Sequence, residues 1–185
     1  MARLARREMI DPSEVQVLHC VQRCVRRAFL CGEDSVSGRS FEHRREWIRQ
    51  RLEFLASIFA IDCLTYTVMH NHFHVVLRTR SDVVSSWSDH EVARRWLTLF
   101  PNRRPEDGSS DAPSETEINA ITNDKQVLAE RRRRLSDVSW LMRCLSENIA
   151  RMANKEDDST GRFWNHPPRC SPLPCLTNGQ FQAAV

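Results

Sequence analysis

Residues 70–79 read HNHFHVVLRT, and the alternation that begins at His72 constrains this chain more than any other feature. Successive side chains of an extended strand point to opposite faces. His72, His74 and Val76 therefore share one side, while Phe73, Val75 and Leu77 share the other. The second set is apolar and needs a packed layer beneath it; the first carries two imidazoles. Such a strand belongs in a sheet with one face on the core and the other toward water. Just before it, Leu64, Tyr66 and Val68 alternate with Cys63, Thr65 and Thr67. The short connection at Met69–Asn71 then predicts an antiparallel hairpin.

The flanking segments supply layers for that hairpin. Residues 15–23 (VQVLHCVQR) have strand character, with Val15, Val17 and, after a slip, Val21 expected as apolar anchors. Residues 32–38 read as a loop, rich in Gly, Ser and Asp. From Phe41 the period becomes helical, with Trp47, Ile48, Leu52, Leu55 and Phe59 on one stripe. Ser88 and Glu91 stand in capping-box positions ahead of Val92, Trp96 and Leu99. Residues 102–116 are polar and predict an exposed loop. A charged helix is expected from about Glu117 to Leu135, and another from Ser136 with Val138, Leu141, Leu145, Ile149 and Met152 on one face. Trp47, Trp96, Trp140 and Trp164 read as core residues rather than as base-stacking platforms. After Trp164 the chain holds four prolines and no period, so residues 166–185 are expected to be irregular. The order of elements predicts an α+β fold: a ferredoxin-like sandwich with a central, mostly antiparallel sheet and helices packed on it.

Composition narrows the function classes. A chain of 185 residues fits a single domain, and 41% hydrophobic with 28% charged residues is ordinary for a water-soluble protein. No stretch approaches the roughly 20 apolar residues of a membrane span. The basic N-terminus lacks the apolar centre of a signal peptide, so a cytoplasmic protein with no membrane partner is expected. The seven cysteines are odd in number, irregularly spaced and without a CxxC pair, which favours reduced thiols over a disulfide framework or a zinc site. Lys125 and Lys155 are the only lysines among 27 basic residues. Arginine's planar fork suits phosphate and points to nucleic acid, although a GC-rich coding bias gives the same composition.

Two imidazoles at i and i+2 on one strand can converge on one divalent ion, with amide or carboxylate oxygens completing a site for magnesium or manganese. A pair of histidines on a half-exposed sheet face has the same spacing without a metal. The arginine run Arg131, Arg132, Arg133 and Arg134 is open to two readings, phosphate contacts or a solvated helix face.

Met69-His70-Asn71-His72-Phe73-His74 followed by Val-Val-Leu resembles the M-P-N-H-x-H signature of HUH-type single-tyrosine transposases, the insertion-sequence-200-like and REP-associated groups, with His70 in place of the usual proline. A strand bearing His19 beside Arg23, Arg26 and Arg27, the helix, the hairpin and the later segments LSDVSWLMRCLSENIARMAN and STGRFW follow in the same order. The resemblance covers roughly residues 12–165. It implies DNA transposition by metal-assisted cleavage and rejoining of single-stranded or hairpin DNA, with a tyrosine hydroxyl attacking the phosphodiester. It makes His72 and His74 the metal ligands and Asn154 a candidate third. It makes Arg23, Arg26, Arg27 and Arg131–Arg134 candidate DNA contacts, and it leaves a homodimer open. At the usual tyrosine position stands Ile149, which has no nucleophilic atom; the chain's one tyrosine, Tyr66, is the remaining candidate. The tail does not match the family and implies a truncation, a frameshift or a lineage-specific ending. Two other functions stay open: a non-catalytic DNA- or RNA-binding regulator derived from a transposase, and an unrelated metal-dependent hydrolase.

Overall fold

The structure is a computed structural model that describes residue 11 and residues 14–25, 29–102 and 112–174. Its elements run β1 (Val17–Arg23), α1 (Arg44–Ile58), β2 (Ile61–Val68), β3 (His72–Thr79), α2 (Ser81–Ser86), α3 (Asp89–Leu99), α4 (Glu115–Thr122), α5 (Lys125–Leu135), α6 (Val138–Glu156) and β4 (Arg169–Pro172). The strands form one sheet in the order β2-β3-β1-β4, with every neighbouring pair antiparallel. This is the α+β sandwich expected from the sequence. Its strand–helix–strand–strand–helix–strand succession is ferredoxin-like, with additional helices inserted before α6.

Period-two alternation puts the core on one side of the sheet. Leu18, Cys20, Phe73, Val75 and Leu77 are almost completely buried, each full burial of a large apolar side chain being worth about 1.5–3 kcal/mol. Helix α6 covers this side with Leu141, Leu145, Ile149 and Ala153, and α1 with Ile48, Leu52 and Leu55. A polar contact ties the layers together. The Ser146 hydroxyl of α6 lies between the Gln22 side chain of β1 and the Met142 carbonyl.

Several sequence expectations are corrected. In β1 the alternation is regular and needs no slip, but Leu18, Cys20 and Gln22 point to the core while Val17 and Val21 share the other face, and Val15 is half exposed. The β-branched residues drew the eye, yet burial belongs to the intervening positions. The single charged helix is two, because Asp124 accepts from Gln126 N and Val127 N and so starts α5 anew two residues after α4. The helix expected from Glu117 begins at Glu115 instead, and Ser114 and Glu117 form a full capping box there. Ser88 accepts from Glu91 N, as its position predicted.

The tail is not wholly irregular: Arg169–Pro172 pairs with β1. Nor are all the cysteines thiols. Cys20 and Cys170 sit opposite each other in that pairing, with Cα atoms 4.0 Å apart, and are joined by a disulfide. Spacing could not reveal the bridge, because its two halves lie 150 residues apart and meet only when β4 docks on β1. Among the described residues no helix is long and apolar enough to cross a membrane.

Candidate functional site

The sheet face opposite the core is open. On it stand Val17, His19, Val21 and Arg23 from β1, His72, His74, Val76 and Arg78 from β3, Thr65 and Thr67 from β2, and Arg169 and Ser171 from β4. The register sets His74 opposite Val21 and Thr67, His72 opposite Arg23, and Arg169 opposite Val21. The predicted pair is thus joined by a third imidazole. His19 Nε2 and His74 Nδ1 are 2.9 Å apart and share a hydrogen bond, with the two rings nearly parallel at 5.1 Å between centroids. His72 and His74 meet edge-on, also at 5.1 Å. His72 Nδ1 bonds Asn71 Oδ1 at 2.7 Å.

These bonds decide what the pair can do. His72 donates from Nδ1 to the Asn71 amide oxygen, and that tautomer leaves the Nε2 lone pair free. When His74 donates through Nδ1 to His19, its Nε2 is likewise left unbonded among the described residues. Fixing a ligand histidine through its other ring nitrogen is the usual means of orienting it toward a metal. Burial, and after it the charge of His74, lower the pKa of His19. Burial, followed by His74, Arg23 and His70, lowers that of His72. Both rings are therefore held neutral at neutral pH, the form that ligates metals.

The donor set fits a divalent ion only as two imidazole ligands. Among the described residues no group of three or more His, Cys, Asp or Glu is arranged to hold a metal, and His19 has its Nε2 engaged with His74. Asn154 does not complete the set. Its amide donates to the Gly161 carbonyl at 2.8 Å, beyond the end of α6, in a cleft lined by Arg39, Asp157 and Phe163 that includes no residue of the histidine cluster.

The nucleophile candidates lie elsewhere. Tyr66 pairs with Val75 and so shares the core-side face, bordering a groove with Arg49, Leu52 and Glu53 of α1. Ile149 is completely buried beneath the sheet. Neither faces the imidazoles.

The arginines divide in the same way. Arg131 stacks on Trp96, with 4.2 Å from guanidinium carbon to ring centroid. Arg132 bonds the carbonyls of Val84 and Trp87 and the Asp89 carboxylate. Arg133 and Arg134 both hold Glu130, and Arg134 also covers Trp140 at 4.2 Å. Each guanidinium of the run therefore has a ring or hydrogen-bonding contact within the protein, although Arg131 Nε has no hydrogen-bond partner among the described residues and the Arg133 side chain is 57% exposed. Arg26 and Arg27 lie outside the described residues, as does the middle of the expected 102–116 loop. Arg23 is exposed beside His72.

The two sequence segments that carry the resemblance meet in space. Trp164 sets its ring edge-on to Phe73, 5.7 Å between centroids, and its Nε1 donates to the Ser146 carbonyl. The Cys24 amide donates to the Asn71 carbonyl, the Val25 amide to Phe163, and the Asn165 amide to Arg23. The hairpin apex that carries Asn71 and His72 is thereby braced from β1, and β1 from the Phe163–Asn165 segment.

No protein-family profile matches the chain, and no curated protein matches it.

Proposed function

We propose that this chain is a DNA-binding protein of the HUH single-tyrosine transposase type, one that holds single-stranded or hairpin DNA against the open sheet face without tyrosine-mediated strand transfer. The observation that supports it is the orientation of His72 and His74, side by side on the open face with Asn71 and His19 on their Nδ1 atoms. A magnesium or manganese ion on the two Nε2 atoms would supply a Lewis acid to a phosphate oxygen. The protein's own residues do the rest: Asn71 and His19 orient the two rings, burial keeps the His72 ring neutral, and Arg23 stands beside it. Strand transfer is left out of the reading because the single tyrosine lies on the other face and Ile149 is core.

The reading locates the protein with DNA in the cytoplasm and keeps the homodimer as a state to be read from its mass in solution. Its test is binding of a fluorescent hairpin DNA by the full chain in manganese and in chelator. Binding that tightens with manganese, loses that increment in His72→Ala and leaves no covalent adduct is the expected result. No metal-dependent increment sinks the metal reading. A protein–DNA adduct resistant to denaturation would instead establish active strand transfer.

A further inference from the structure

Beside its imidazoles the open face carries arginines. Among the described residues twelve arginines are ion-paired. On the open face Arg78 is one of them, held by Asp62 at 2.6 Å. Arg23 and Arg169 are exposed, and among the described residues neither has a carboxylate partner. Asp62 is the only acidic residue contributed to that face by the four strands. Among the described residues, two guanidinium groups without ion-pair partners thus lie near three imidazoles, on strands that contribute one carboxylate to the face.

We infer that Arg23 and Arg169 are the anchors of a phosphodiester path across the open face, gripping neighbouring phosphates of one DNA strand on either side of Val21. The inference rests on the DNA-binding reading and adds to it Arg169, a residue of the tail.

Register places the two groups. Arg169 lies one strand from Val21 and two from His74, roughly 10 Å from the latter by strand spacing, while Arg23 stands directly opposite His72. Both backbones are pinned. The Asn165 amide donates to the Arg23 carbonyl, and the residue after Arg169 is tied to β1 through Cys20. The remaining open-face groups between and beyond them are short: Thr65, Thr67 and Ser171 offer hydroxyls, and Val17, Val21 and Val76 keep the surface low. Among the described residues no helix is contributed to that face to enter a duplex groove, and the strands present there no aromatic ring larger than imidazole for base stacking. What such a face can recognise is the sugar–phosphate backbone of an accessible single strand, through charge and hydrogen bonds that carry no sequence information.

Salt dependence reads phosphate contacts directly. On single strands each one contributes about 0.7 to the slope of log affinity against log salt. The probe is a fluorescent oligothymidylate, titrated in chelator with the full chain, with circular dichroism confirming that every variant is folded. Arg23→Gln and Arg169→Gln should each reduce the slope by about 0.7, and the double variant by about twice that. Arg162→Gln, an exposed arginine outside the sheet face, should leave it unchanged. Unchanged slopes in both single variants overturn the anchors. So does a wild-type chain that does not bind the oligonucleotide in chelator. The manganese-dependent increment on hairpin DNA is read separately, so the anchors can fail while the metal reading stands, and the reverse.

Discussion

His19 is the side chain that orients one of the two candidate ligand rings. Its Nε2 holds His74 Nδ1 at 2.9 Å and so sets the orientation of a ring that would otherwise turn about its own torsions. Partners of this kind typically change metal affinity 10–100-fold when removed. If the two rings hold manganese as proposed, His19→Ala should weaken that binding by about 10–100-fold in isothermal titration, with circular dichroism showing the variant folded. Equal affinity in the variant would show that His74 needs no such support. The opposite case is the arginine run Arg131–Arg134, which looks like a phosphate-binding patch in one dimension. Its side chains stack on Trp96 and Trp140 or bond Glu130, Asp89 and two carbonyls. A run of four like charges says nothing about which of its members already have partners.

Between elements, Arg44 clasps the start of α1 to the end of α6. It is fully buried and donates to Glu156 at 2.8 Å, to Asp157 at 2.5 Å and to the Phe29 carbonyl at 2.6 Å, while its guanidinium covers the Phe41 ring at 4.4 Å. Removing it takes a donor from the Phe29 carbonyl and leaves the two carboxylates, each about a quarter exposed, to Arg39 and His43, and loss of hydrogen bonds to charged groups typically costs about 1.5–3 kcal/mol. Arg44→Ala should therefore lower the stability read from urea melts by about that amount. The pH dependence has a definite sign. Burial opposes ionisation of Glu156, but the hydrogen bond and charge of Arg44, with those of His43, outweigh it and keep its pKa below the ordinary 4.5. The contribution is complete above 4.5 and is lost as pH falls through the lower folded value. The stability gap between wild type and variant should narrow as acid is added below pH 4.5, and a constant gap would refute the assignment.

At the scale of the whole molecule, the disulfide joins two strands that begin and end the sheet in sequence. Cys20–Cys170 spans 150 residues, and a bridge closing so long a loop usually stabilises by about 2–4 kcal/mol, chiefly through the unfolded chain. Under oxidising conditions Cys170→Ser should lower stability by about that amount, and dithiothreitol should do the same to the wild type while leaving the variant unaffected. A wild type indifferent to the reductant would remove the bridge from the account. In a reducing cytoplasm the same pair would stand as thiols, so the short strand β4, and Arg169 with it, would rest on backbone pairing alone.

The α+β class, the β2–β3 hairpin and the shared face of His72 and His74 were legible in one dimension, because strand alternation and helical period are local consequences of backbone geometry. The resemblance to transposases drew on the same local strings. The third imidazole was not legible, since His19 and His74 are 55 residues apart and only the β1–β3 register makes them diagonal neighbours. The disulfide, Arg169 and β4 were hidden for a related reason: four residues amid prolines carry little strand propensity, and it is β1 that recruits them. The face assignment of Tyr66 needed the sheet register as well, whereas Ile149 already stood on the apolar stripe of its helix and is buried there. By itself the sequence determined which side chains alternate and where helices can form. The tertiary structure decided which arginines remain unpaired on the open face and which hydroxyls are out of reach, because pairing and burial depend on residues distant in the chain.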